Sequence, residues 1–226
     1  MTQTPTVYSD APEIDAIDTW STPLFVASQP YHELLKEPLL TAIYADAEQA
    51  GFGVNSQVAE AAKGGLAESD LGFLERDQPD IQTLKHFLEE LILTVASDVN
   101  EAHWPGDAEA QAEIIESWYH ITRQGGFHDA HSHPNCSWCG IYYLEPGDSD
   151  FHSRSGLNRF YDPRVNAEHY QDAGTAYLNA HGVYDMEPKE GQVILFPSYL
   201  KHSALPYFGQ QDRIVIAFNA QVHLHV

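Results

Sequence analysis

The sequence predicts an α+β fold, with a helical first half and a β-rich second half that closes as a sandwich or barrel; a jelly roll fits the number and length of the strands. Two patterns predict this. Before Pro105, apolar residues recur at helical spacing, and after it short β-prone runs alternate with turn residues. A third comes from the last strand, Arg213 to Val222. There Ile214, Ile216 and Phe218 share one greasy face, suited to packing on the N-terminal helices, while Arg213, Val215, Ala217 and Asn219 share the other.

In order, residues 1 to 18 read as a loose leader rich in Thr, Pro and Asp. Thr19 to Ser28 has strand composition, and Pro23 suits an edge position. Tyr31 to Gln49 has helical spacing, with Leu34, Leu35, Leu39, Leu40, Ile43 and Tyr44 on one side and Pro38 as an expected kink or late start. Gly51 to Asp70 is a long loop, with room for a short helix. Asp80 to Ala102 is the strongest helix. Ile81, Leu84, Phe87, Leu88, Leu91, Ile92 and Val95 form its apolar stripe, and Asp80 is the expected N-cap. Strands follow at Ala112 to Arg123, Ser137 to Leu144, Asn158 to Tyr161, Val183 to Glu187, Gln192 to Phe196 and Arg213 to Val222. Arg164 to Gly182 reads as a polar loop. The expectation is a single domain over 1–226: leader 1–18, mostly helical support 19–111 and β core 112–226.

The chain has 226 residues and 43% hydrophobic composition, enough for a substantial core. Its 33 acidic and 11 basic residues give a net charge of -22. Such a surface repels phosphate backbones and anionic membranes, so nucleic acid and membrane are set aside as partners. It also makes each arginine a scarce positive charge. No apolar run reaches membrane-spanning length, and Met1 to Asp18 lacks the pattern of a signal peptide. The two cysteines, Cys136 and Cys139, fit a reducing compartment, so a cytoplasmic location is expected. Their CxxC spacing in a strand would send the side chains to opposite faces, and they read as packed thiols.

The chemistry concentrates at His128, His131 and His133. On an extended strand, His131 and His133 would face the same way, and two imidazoles on one face can hold iron, zinc, copper or nickel. His202 is the best candidate for a third ligand. Arg213 either grips a carboxylate ligand bidentately or pairs with one of the many surface carboxylates. Tyr142 and Tyr143 must point to opposite faces, and the inward one could share that carboxylate. Trp118, Trp138 and Phe127 are pocket walls or core aromatics; His120 is expected simply to pack.

Four segments in this order, His131-Ser132-His133, Gly140-Ile141-Tyr142-Tyr143-Leu144, Gly191 to Ser198 with His202, and Arg213 to Asn219, resemble the iron(II)/2-oxoglutarate-dependent oxygenases. Asn158-Arg159-Phe160-Tyr161-Asp162-Pro163-Arg164 adds to the resemblance, which covers roughly Trp118 to Gln221. It implies a double-stranded β-helix, that is, a jelly roll with the N-terminal helices packed on one sheet. It implies Fe(II) and 2-oxoglutarate as cofactor and cosubstrate, with O2 and a small-molecule or peptide substrate. His131 and His202 would be iron ligands, and Arg213 and Tyr143 would bind the distal carboxylate of 2-oxoglutarate. Asn135, beside the histidines, reads either as an amide supporting the ligands or as a cosubstrate contact. One departure stands out: His133 occupies the place where the family carries Asp or Glu, giving three histidines instead of two and a carboxylate.

Three other readings compete. A cupin-like three-histidine dioxygenase would use no 2-oxoglutarate. A non-catalytic jelly-roll module would bind metal without consuming O2. A three-histidine zinc hydrolase would need a general base, and no suitably placed carboxylate stands out. The edge strand near Thr19 to Ser28 could pair across a homodimer.

Overall fold

The two segments with helical spacing form the two long helices. α1 spans His32–Gln49 and buries Leu35, Leu39, Ile43 and Ala47, four residues apart, along one stripe; it continues through Pro38. α2 spans Pro79–Asn100 and buries Ile81, Leu84, Leu88, Ile92 and Val95. The expected cap at Asp80 is corrected: Gln78 is the capping position and makes no side-chain cap, while Pro79 opens the helix. Proline's fixed φ suits that first position, and the Asp80 carboxylate, one residue in, faces the positive end of the helix dipole. The computed structural model describes residues 21–51, 65–164, 172–174 and 182–225. The expected leader, Thr19 and Trp20, most of the Gly51 to Asp70 loop and most of the Arg164 to Gly182 loop lie outside the described residues.

The described residues form ten strands, in chain order β1 (Phe25–Ser28), β2 (Leu66–Glu68), β3 (Glu109–Thr122), β4 (His128–His131), β5 (Trp138–Glu145), β6 (Asn158–Tyr161), β7 (Val183–Met186), β8 (Gln192–Pro197), β9 (His202–Ala204) and β10 (Arg213–His225). They form two antiparallel sheets, a six-stranded one ordered β1-β8-β5-β10-β3-β2 and a four-stranded one ordered β4-β9-β6-β7. This is the jelly roll the strand pattern predicts, with β1 at an edge. β2 and β9 are absent from the sequence reading, because three residues are too few to show a period of two.

The helices cover one face of the six-stranded sheet. Their stripes meet Ile214, Ile216 and Phe218 of β10 together with Tyr119, Tyr142 and Leu195. A staple fixes α1 there: His32 Nδ1 lies 2.6 Å from the Tyr142 hydroxyl, and His32 Nε2 lies 3.0 Å from Glu190 Oε1. A second apolar cluster fills the space between the sheets, with Ile141, Tyr143, Ile194, Phe196 and Val215 from one and Phe160 from the other. The alternation of β10 is thereby resolved: its bulky face goes to the helices and its Arg213 face to the interior of the sandwich. Gly140 is required by this packing, since a Cβ there would stand 2.1 Å from Phe218 Cζ.

Candidate metal centre

Between the sheets, strand pairing brings two histidines side by side. His131 of β4 and His202 of β9 are register partners, with ring centroids 4.4 Å apart. His133 arrives differently from the expectation. β4 ends at His131, so the two near histidines do not share a strand face. His133 lies in the following loop, anchored by its backbone N–H donating to Ser198 O at 3.1 Å. The turn still swings its ring to 4.9 Å from His131 and 5.3 Å from His202. One ring nitrogen from each histidine lies within 4.8 Å of the others, close enough to share one ion.

Hydrogen bonds orient two of these rings. His131 Nδ1 faces Asp129 O at 2.7 Å and His202 Nδ1 faces Leu200 O at 2.9 Å. A ring N–H must sit on the side of each carbonyl, so Nε2 keeps its lone pair for the centre. Burial pushes the His202 pKa down to about 3; the Leu200 carbonyl opposes the shift and the neighbouring imidazoles add to it. Burial and then His131 push His133 down to about 4. Both rings are neutral at pH 7, the form that ligates a metal.

Asn219 of β10 supports His133. Its Nδ2 donates to Glu116 Oε2 at 2.7 Å and lies 3.3 Å from His133 Nδ1, while its Oδ1 accepts from the Cys139 thiol at 3.2 Å. The cysteines are a correction to the opposite-face expectation. Cys136 precedes β5 instead of lying in it, so the thiols are not separated by strand alternation, and their sulfurs approach to 3.5 Å. The contact between the two thiols pulls Cys136 down and, with burial, pushes Cys139 up.

Arg213 stands at the inner end of the pocket and is 1% exposed. Its Nη2 donates to Asn158 Oδ1 at 2.7 Å, and the Tyr143 hydroxyl donates to the same oxygen at 2.8 Å. Arg213 Nε is buried with no partner. Among the described residues no carboxylate pairs with Arg213, whereas Arg123 takes Asp212 and Arg159 takes Asp185. Of the two readings left open, the surface salt bridge is therefore not what forms. A buried guanidinium without a counter-charge, with Nε unpartnered, has the chemistry to receive an anion.

Trp118, His120 and His128 also line the pocket, with Phe196, Val215 and Ala217. His120 was expected only to pack, and burial lowers its pKa. Trp138 instead packs edge-on against Phe25 in the core beneath the helices, and Phe127 is 42% exposed and outside the lining. Asn135 is exposed, with its backbone carbonyl accepting from Gln221 Nε2 at 2.9 Å, and it does not reach the pocket. Asn158 takes that place beside Arg213. Its signal was its position at the head of the Asn158-to-Arg164 segment. Asp162 and Arg164 pair with each other at 2.6 and 2.9 Å.

Residues 116–219 match the family described as "Putative 2OG-Fe(II) oxygenase". That segment runs from β3 into β10 and contains every residue lining the pocket. Among solved structures, the chain is similar to HygX from Streptomyces hygroscopicus with nickel and 2-oxoglutarate bound (TM-score 0.57, 14% identity, 88% of this chain and 83% of that one). It is also similar to a prolyl-4-hydroxylase from Pseudomonas putida (TM-score 0.51, 17% identity, 88% and 93%). A third is a Trichoplax adhaerens prolyl hydroxylase in complex with a hypoxia inducible factor peptide fragment (TM-score 0.51, 14% identity, 87% and 83%). At these identities the likeness is one of fold. No curated protein matches.

Proposed function

We propose that this chain, whose residues 116–219 match that family, is an iron(II)- and 2-oxoglutarate-dependent oxygenase in which His131, His133 and His202 hold the metal and Arg213 holds the cosubstrate. The observation that carries the reading is the buried Arg213, which has no acidic partner among the described residues and lines the same pocket as the three imidazoles. The donor set fits iron(II): imidazole is a suitable ligand, and three protein ligands leave coordination positions for small molecules. When bound, iron with 2-oxoglutarate and O2 supplies the oxidising power for hydroxylation of a C–H bond.

The chain's own residues do the rest. Arg213 and Asn158 bind the far carboxylate of 2-oxoglutarate. Tyr143 holds Asn158 in place through the shared oxygen at 2.8 Å and lays its ring 5.7 Å from the guanidinium carbon. Ile141, Phe196 and Val215 exclude water from the path between Arg213 and the histidines. The substrate is a small molecule or peptide entering past Trp118 and His128. The three-histidine dioxygenase without 2-oxoglutarate gives Arg213 no task, and the non-catalytic module gives Asn158 and Arg213 none. No described helix is long and apolar enough to cross a membrane. The cytoplasmic reading rests on the two free cysteines, and a dimer would use the exposed edge of β1.

The test is anaerobic titration of the metal-free chain with iron(II) and then 2-oxoglutarate, followed by exposure to O2. A weak visible charge-transfer band and O2-dependent succinate formation are expected, with both weakened in Arg213→Ala. No band and no succinate from the unaltered chain would sink the reading.

A further inference from the structure

We propose that Glu68, His120 and His128 form a second divalent-metal site on the solvent side of the pocket, separate from the three-histidine centre. The ligands come from three strands. Glu68 of β2 and His120 of β3 are register partners on the six-stranded sheet, and His128 belongs to β4 of the other sheet. One ligand atom from each lies within 4.8 Å of the other two. Glu68 Oε2 is 2.8 Å from His120 Nε2 and 3.8 Å from His128 Nε2. Ligand atoms on one ion, each about 2.0–2.2 Å from it, stand about 3–3.5 Å apart, so these separations bracket the expected spacing.

The hydrogen-bond count at His120 points to a ligand. His120 Nε2 faces two groups: the Trp118 indole N–H at 3.0 Å and the Glu68 carboxylate at 2.8 Å. The indole can only donate and an ionised carboxylate can only accept. If Nε2 carries a lone pair it suits Trp118 and repels Glu68. If it carries a proton it suits Glu68 and opposes the indole hydrogen. No tautomer satisfies both. A cation among the three resolves the Glu68 side of it: the carboxylate and the imidazole lone pair then both point at positive charge, and that lone pair serves the ion in place of the Trp118 N–H.

His128 is oriented for the same role. Its Nδ1 lies 3.3 Å from Asp129 O, which draws the ring N–H to that side and leaves Nε2 toward Glu68. The His120 and His128 rings are stacked, 5.5 Å between centroids and 22° between planes. Two imidazoles and a carboxylate suit a borderline ion such as zinc, cobalt, nickel or iron. The ion would tie the edge of one sheet to β4 of the other, directly beside the first centre, since the rings of His128 and His131 are 4.3 Å apart. The chain's net charge of -22 favours uptake of a second cation.

Equilibrium dialysis of the metal-free full-length chain against cobalt(II), with no 2-oxoglutarate present, tests this. Two equivalents are expected in the unaltered chain and one in Glu68→Gln or His128→Gln. One is also expected in His131→Gln, and none in the double variant Glu68→Gln/His131→Gln. The two single variants lie on different sheets, so a folding defect in one leaves the other informative, and the count in the unaltered chain needs neither. A single equivalent in the unaltered chain overturns the proposal. So does retention of both equivalents in Glu68→Gln and His128→Gln, or a sulfur-to-cobalt band accompanying the second equivalent, which would assign it to Cys136 and Cys139. The outcome is independent of the 2-oxoglutarate titration, so the two readings can fail separately.

Discussion

Arg213 Nη2 and the Tyr143 hydroxyl converge on one oxygen, Asn158 Oδ1, at 2.7 and 2.8 Å. Three polar side chains are thereby locked inside an apolar sandwich, and the guanidinium keeps Nε unpartnered. An amide can accept from both donors but supplies no negative charge, which leaves the guanidinium uncompensated among the described residues and able to take an anion.

Arg213→Met is expected to separate binding from stability. Losing a buried charge-assisted contact to a carboxylate costs about 2–5 kcal/mol, or roughly 30- to several-thousand-fold in 2-oxoglutarate affinity. The metal-free chain should not be destabilised, because the desolvated charge had no counter-ion to lose and Asn158 keeps its bond from Tyr143. Calorimetric titration and thermal melts check the two halves. Unchanged 2-oxoglutarate affinity, or a large fall in Tm, contradicts the assignment.

Acid should weaken the metal-free fold through the histidines. In the unfolded chain an imidazole has its ordinary pKa of about 6.5, whereas His133 and His202 are held down at about 4 and about 3. Below pH 6.5 the unfolded state therefore binds more protons, and stability falls as pH falls through that window. The carboxylates whose pKa values the fold lowers, Asp150, Asp162, Asp185 and Glu190, are already ionised there and act at lower pH. Melting curves between pH 7 and pH 5 should show a falling Tm, with a shallower slope in His202→Asn. A flat profile would show that burial does not penalise these rings.

Asn219→Ala tests the support behind His133. The variant removes the amide that lies 3.3 Å from His133 Nδ1 and donates to Glu116. Metal affinity should drop about ten- to a hundred-fold, as is typical for lost orienting contacts, with secondary structure intact. Glu116→Gln should have a smaller effect, because its amide oxygen still accepts from Asn219. Equal affinity in Asn219→Ala and the unaltered chain would remove Asn219 from the site.

Gly140→Ala probes the wall between core and pocket. The added methyl would stand 2.1 Å from Phe218 Cζ. Overpacking of this kind costs about 1–3 kcal/mol, which for a chain of this size lowers Tm by roughly 3–10 °C. Phe218 belongs to the core beneath the helices and also borders the pocket, so displacement of its ring should weaken 2-oxoglutarate binding as well. An unchanged Tm would mean the ring moves freely.

The local patterns were legible in the sequence. Helical spacing marked α1 and α2 to within a few residues, and strand alternation sorted β10 into a face for the helices and a face for the interior. Those patterns come from local periodicity, which the chain carries wherever it lies. The candidate ligands were legible too, because closely spaced histidines and a distant one form a recognisable set.

The tertiary structure decided what local spacing does not encode. β2 and β9 have three residues each and no readable period, and they are the strands that carry Glu68 and His202. His133 reaches the centre from a loop where a strand was expected, and Cys136 and Cys139 meet for a similar reason. Asn158, and not Asn135, stands beside Arg213, because strand order places β6 opposite β10 across the sandwich. Whether Arg213 would be paired depended on where its neighbouring carboxylates pointed, and Asp212, next to it in sequence, turns to Arg123. Such choices are made between residues far apart in the chain, by the closing of two sheets around a shared space, and only the closed fold contains them.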